Sequence, residues 1–293
     1  MMPDASRVQN AVMSDSILLV TGTSSGIGLA TAVEAARRGF RVVATMRDPA
    51  RAGALRDAAA SAGVEVDVQP LDVTDQESID ACFAYVRSTY GGLDALVNNA
   101  GAGHLGTIEV ESLAAVRAVM EVNFFGVIAM TKAALPLLRE RGGRLLTITS
   151  VGGVVGQPFN EAYCAAKFAV EGFMESLAPV AASLGVRVTV VEPGAVRTEF
   201  VAAVQAQGAL PVVGTPYAPL LDAYLARTAA AFDPSAAQTA DGVAEVVVAT
   251  LLDPEPAARV QTSEAARAFA GIKLSDLDGA HVQHVTAHWV AGD

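Results

Sequence analysis

The sequence predicts an α/β protein built on a doubly wound parallel sheet with helices on both faces. Three observations carry that expectation. Short β-branched runs alternate with longer Ala-rich amphipathic stretches from Ile17 to about Glu192. Several of those runs are apolar at successive positions, as strands covered on both faces must be. The first run passes directly into the turn Thr21-Gly22-Thr23-Ser24-Ser25-Gly26-Ile27-Gly28 and then into a helical stretch from Leu29 to Arg38.

In chain order, the expected strands are Ile17–Thr21, Arg41–Met46, residues 64–71, Ala95–Asn98, residues 144–149 and residues 186–192. A loop-rich segment follows to about residue 233, then a helix over 239–252, a short strand over 259–262 and a tail. No Pro/Gly/Ser linker or repeat divides the chain. We therefore expect one domain over 16–293 behind a polar extension, residues 1–15, with a substrate loop or lid over about 194–235.

Composition sets the function classes. The 293 residues are 52% hydrophobic and 17% charged, which excludes disorder, and 26 glycines are too few for a collagen repeat. A net charge of -11 provides no positive field for a polyanion, so nucleic acid is not an expected partner. Cys82 and Cys164 are far apart without metal-ligand spacing, which fits a reducing compartment. Asp4, Arg7 and Asp15 interrupt the first residues, so they lack the apolar core of a signal peptide, and the expected location is cytoplasmic. Residues 200–221 are uncharged and as long as a membrane span, but Gly208, Pro211, Gly214, Pro216 and Pro219 break them. Lipid could not satisfy the backbone groups so released, and an apolar loop is the expectation.

The Gly-x-x-x-Gly-x-Gly turn, with a strand before and a helix after, has the form of a dinucleotide site. Its glycines let the backbone approach a pyrophosphate, and the helix N-terminus offers free N–H groups. An NAD-binding chain places an acid at the end of the second strand, on the ribose hydroxyl. Here Met46 and Arg47 stand there, so a guanidinium could meet a 2′-phosphate. The alternative for Arg47 is an ordinary exposed side chain. Tyr163 and Lys167 are separated by one helical turn and share a face. Ser150 at a strand end and Asn98-Asn99-Ala100-Gly101 after another fall at strand carboxyl ends, where open α/β sheets bind ligands. His104 either lines the pocket or caps a loop. His281, His284 and His288 would share one face of a helical tail; with no cysteine beside them they read as a solvated face, and no metal is expected.

With these residues assembled, the chain resembles the short-chain dehydrogenase/reductase family from about Ile17 to Asp293. The resemblance implies a Rossmann fold and a catalytic tetrad of Asn123, Ser150, Tyr163 and Lys167. It places Gly22, Ser24, Ser25, Gly26, Ile27 and Gly28 at the cofactor phosphates, Asp72 with Val73 at the adenine, and Asn98 near the adenosine ribose. Pro193, Gly194 and Thr198 match the nicotinamide side, and Lys167 also holds the nicotinamide ribose. Ala44-Thr45-Met46-Arg47-Asp48, Val243-Ala244-Glu245-Val246 and the terminus from Val285 to Asp293 resemble the hydroxysteroid and retinol dehydrogenase branch. That branch implies NADP(H) and a bulky apolar alcohol or ketone. The polar residues that read a steroid's distal oxygen have no clear counterpart; Pro219 and Trp289 fall there.

The expected activity is thus an NADP(H)-dependent carbonyl reductase or alcohol dehydrogenase. A 3-oxoacyl-thioester reductase would carry the same four residues. A non-catalytic NADP-sensing regulator would need the glycine turn but not the tetrad. Residues 122–138 and 168–184 carry few charges on any face, and in the family such helices pair between copies, so a homodimer is expected.

Overall fold

The computed structural model describes residues 16–199, 212–233 and 237–291. Seven strands form one sheet: β1 (Ile17–Thr21), β2 (Arg41–Met46), β3 (Asp67–Pro70), β4 (Ala95–Asn98), β5 (Arg144–Ile148), β6 (Arg187–Glu192) and β9 (Arg259–Gln261). Their order is β3-β2-β1-β4-β5-β6-β9, and every neighbouring pair is parallel. The chain starts at the centre, winds to one edge, then crosses back to place β4 on the other side of β1. This reversal opens a crevice at the strand carboxyl ends, the position that places the site. A two-stranded ribbon, β7 (Val196–Arg197) with β8 (Gln238–Thr239), lies outside the sheet.

Strand alternation divides the core in two. Ile17 and Leu19 point to one face with Val43, where they meet α3 (Gln76–Tyr90), α5 (Gly126–Arg141) and α6 (Glu161–Ala182). Leu18 and Val20 point to the other with Val42 and Ala44, against α1 (Gly26–Arg37), α2 (Gly53–Ala62) and α8 (Ala240–Leu252). Both sets are buried, which is why β1 is apolar at consecutive positions.

Two expectations need correction. The third strand is shorter than residues 64–71, because the chain pairs with β2 only from Asp67. The loop-rich segment contains a helix, α7 (Ala218–Ala231). Pro219 reads as a breaker in the sequence but lies in the first turn, where no N–H is required. The tail is also helical, as α9 (Glu264–Leu274), capped by Ser263 Oγ accepting from Ala266 N at 3.1 Å, and α10 (Ala280–Ala291). The remainder of the expected extension and lid, residues 1–15, 200–211 and 234–236, lies outside the described residues.

Candidate active site

A cavity of about 330 Å³ occupies the crevice. At its floor the turn after β1 is shaped by glycines. Gly22 has φ +70°, and a Cβ there would lie 2.8 Å from Ala100 Cα; one on Gly28 would lie 2.3 Å from Gly22 O. Gly26 has φ +58° and faces the Thr198 side chain. Only glycine fits these conformations and approaches. Ser24, Ser25, Ile27 and Gly28 line the cavity, and Ser25 ends α1 without a side-chain cap, leaving the first N–H groups to a ligand.

One end of the cavity is bounded by Met46, buried, and Arg47, exposed. Asp72 lies there too, its Oδ1 accepting from Thr74 N at 2.9 Å and Thr74 Oγ1 at 2.7 Å. Burial raises the Asp72 pKa, but the Thr74 hydrogen bonds and the Arg47 charge outweigh it and hold the carboxyl below its usual value. Val73 lines the same wall and packs against Gly126. Pro193, Gly194 and Thr198 line the opposite end, with Pro193 O accepting from Val151 N at 3.0 Å.

Asn98 is not where the resemblance puts it. It is 2% exposed, and its Nδ2 donates to Thr131 Oγ1 at 3.1 Å and Thr147 Oγ1 at 3.4 Å, inside the protein. The last residue of β4 alternates inward, and its neighbour Asn99 lines the cavity instead. Asn99 Nδ2 donates to Thr21 O at 2.8 Å and Gly22 O at 3.1 Å, while Thr21 Oγ1 accepts from the Asn99 and Ala100 N–H groups, both at 2.9 Å. These bonds tie the β4 loop to the glycine turn. The paired Asn-Asn was visible in the sequence; which of the two faces outward was not.

Ser150, Tyr163 and Lys167 converge on the inner wall. Ser150 follows β5 and caps a short turn, its Oγ accepting from Gly152 N at 3.0 Å. Tyr163 is hydrogen-bonded to Ser150, and burial raises its pKa above the usual phenol value against the opposing effect of that bond. One turn on, Lys167 Nζ donates to Ile148 O at 3.1 Å and lies 5.8 Å from the Tyr163 ring centroid. Burial lowers the Lys167 pKa to about 8, opposed by the Glu171 charge. Asn123 sits in a five-residue π-helical segment, Glu121–Phe125, joining α4 (Leu113–Met120) to α5. Its Nδ2 donates to Ala102 O at 2.9 Å and its Oδ1 accepts from Ala102 N at 3.2 Å. A Cβ on Gly101 would stand 2.9 Å from Asn123 Oδ1 and 3.7 Å from Lys167 Nζ, so a side chain at 101 would crowd the Asn123 amide. The arrangement can hold an oxygen between two hydroxyls and transfer a proton to it beside a cation.

His104 Nε2 is 2.5 Å from Glu111 Oε2, within its own loop, and does not line the cavity. His281, His284 and His288 lie on α10, where His288 Nδ1 bonds His284 O at 2.6 Å. Among the described residues no three His, Cys, Asp or Glu form a metal-sized group. Beside the N-terminus of α6, Phe159, Leu221 and Tyr224 are buried together with Leu105, Tyr217 and Trp289 packed against them.

Residues 16–209 match the family described as short chain dehydrogenase. The chain is 38% identical to human 17-beta-hydroxysteroid dehydrogenase type 1, over 96% of this chain and 88% of that protein. It is also 38% identical to human retinol dehydrogenase 8, over 89% of this chain and 86% of that one. Among solved structures it is similar to a variant of actinorhodin polyketide ketoreductase crystallised with NADPH. The TM-score there is 0.72 and the identity 32%, covering 84% of this chain and 95% of that one.

Proposed function

Because the chain belongs to the short-chain dehydrogenase/reductase family, on its hydroxysteroid and retinol dehydrogenase-like side, and is an oxidoreductase, we propose that it interconverts a carbonyl and a secondary or primary alcohol on a bulky apolar substrate. NADP(H) is the cofactor and Tyr163 the proton donor and acceptor. The observation that carries this is the convergence of Ser150, Tyr163 and Lys167 at one wall of a cavity whose other end carries Arg47 and no carboxylate at the Met46 position.

The residues fit a dinucleotide phosphate. The cradle made by Gly22 and Gly28 would be filled by any Cβ, the first turn of α1 has open N–H groups, and Arg47 is the cation for a 2′-phosphate. When bound, the nicotinamide supplies or accepts the hydride. Ser150 Oγ holds the substrate oxygen, and the Tyr163 hydroxyl delivers its proton to that oxygen as the carbonyl becomes an alcohol. The Lys167 ammonium stabilises the phenolate left behind, which burial alone would penalise. Asn123 completes the tetrad as the residue that links Lys167 to solvent, by which the proton is replaced. The names of the relatives support a bulky apolar substrate. The test is NADPH oxidation, followed by absorbance, with steroids, retinoids, aromatic ketones and 3-oxoacyl thioesters. Turnover of thioesters alone would replace this reading with the acyl reductase, and turnover of none with NADPH bound would favour a regulator.

We also propose a homodimer. The helical run 113–141 is apolar enough to span a membrane by length and composition, but Met130, Ala134 and Leu138 are spent in the core. Outside the core, Phe125 on that run, and Phe168, Val180 and Leu184 on and just after α6, remain exposed. Exposed apolar side chains along these two helices are material for a two-fold interface. Light scattering at micromolar concentration is expected to give twice the 30.0 kDa chain mass; the chain mass itself would refute the dimer.

A further inference from the structure

Behind the proposed active site lies a buried charge cluster that the reaction above does not use. Glu171 sits on α6, one turn beyond Lys167, and is 4% exposed; Glu192 ends β6 and is fully buried. Arg259, at the start of the edge strand β9, bridges them: Nη2 is 2.9 Å from Glu171 Oε2 and Nε is 3.2 Å from Glu192 Oε1. Gln261 Nε2 donates to Glu192 Oε2 at 2.9 Å. The three elements that carry the cluster lie beside the site: α6 holds Tyr163 and Lys167, β6 runs into Pro193 and Gly194, and β9 is the outermost strand.

Two buried carboxylates with one guanidinium are costly, since each ion loses its hydration and only one counter-charge replaces it. A role confined to packing would be met as well by apolar residues of similar volume. The feature that distinguishes this cluster is its direction along the helix. Lys167 is buried, donates to Ile148 O, and forms no ion pair among the described residues. The charge that acts on it is Glu171, on its own helix; Arg259 on β9 meets Glu171 and Glu192, and Tyr163, Ser150 and Asn123 are the neutral groups of the same site.

We propose that Glu171 is a positioning residue, held ionised against its burial by a hydrogen bond from Thr149 and by Arg259, that holds the buried Lys167 side chain in its ammonium form. This rests on the reading of Lys167 as the cation beside Tyr163. Arg259 then acts on the site through Glu171 and not directly. The distinction has a sign. Removing a cation that acted directly would make protonation of Lys167 easier. Removing one that acts through Glu171 leaves that carboxylate, already destabilised by burial, facing Glu192 alone, so that Glu171 takes up a proton and Lys167 loses its support.

The chain contains three lysines, Lys132, Lys167 and Lys273, so lysine labelled with carbon-13 at Cε yields a spectrum in which each can be followed. The measurement needs neither cofactor nor substrate. In the unmodified protein the Lys167 signal should titrate with a midpoint near about 8. Glu171→Gln should lower that midpoint by about 0.5 to 1 pH unit, as loss of a nearby opposite charge in a buried site requires. Glu171→Asp should restore much of it, and Glu175→Gln, exposed on the same helix, should leave it in place. Arg259→Met should move it down and Arg259→Lys should not. An unmoved midpoint in Glu171→Gln overturns the proposal, and an upward shift in Arg259→Met overturns the part assigned to Arg259. Failure of the reductase reading would be seen separately, as absence of turnover on every substrate class with NADPH bound, and failure of the Tyr163 assignment as retained turnover in Tyr163→Phe. In that assay Glu171→Gln should bring the alkaline fall of kcat to lower pH, because the ammonium is lost as pH rises through the Lys167 pKa.

Discussion

Tyr163→Phe is expected to lower kcat on a good ketone by about 100-fold or more, the usual range for removing a positioned general acid. The substitution deletes one hydroxyl and leaves the ring against Lys167, so the cavity keeps its shape and NADPH binding should change only a few fold. Lys167→Ala should damage both, because that side chain meets the tyrosine on one side and opens on the cofactor cavity on the other. Retention of a tenth or more of wild-type kcat by Tyr163→Phe would transfer the proton to another donor. Ser150 would be the first to test, being hydrogen-bonded to Tyr163. NADPH affinity measured by fluorescence alongside single-turnover reduction separates the two effects.

Arg47→Ala is expected to erase most of a preference for NADPH over NADH. A charge-assisted contact to a phosphate is worth about 1.5–3 kcal/mol, which is roughly 10- to 150-fold in affinity. Arg47 is exposed at the end of β2, beside a buried Met46 that has no charge to oppose a phosphate. Asp72 lies close enough to feel the Arg47 charge, so part of the guanidinium field is already balanced, and the preference should weaken with added salt. The comparison is kcat/KM for both cofactors in the two proteins. Equal values in the unmodified protein would leave Arg47 as a plain surface residue.

The fold was legible wherever its determinants are local. The bounds of β1, β2 and β4 follow from apolar runs stopped by the glycine turn, by Arg47-Asp48 and by the Asn-Asn pair. The α7 helix was not legible, because three prolines in one stretch read as breakers until Pro219 is seen in a first turn. The third strand was read too long, since residues 64–66 look extended but have no partner on β2.

What the sequence determined by itself is the glycine turn, the Tyr163–Lys167 pair one helical turn apart, the Ser150 strand end and the absence of an acid at Met46, the last residue of β2. All four are short-range patterns whose spacing alone constrains the backbone. The tertiary structure decided which of Asn98 and Asn99 faces the cavity, because a strand residue's side is set by its register against neighbours far away in the chain. It decided that Asn123 sits in a π-helical segment beside Gly101, because that widened turn interrupts one continuous helical run and has no spacing of its own. It also brought Glu171, Glu192 and Arg259 together from three elements, an ion cluster that no periodicity announces because parallel strands join residues through long crossovers.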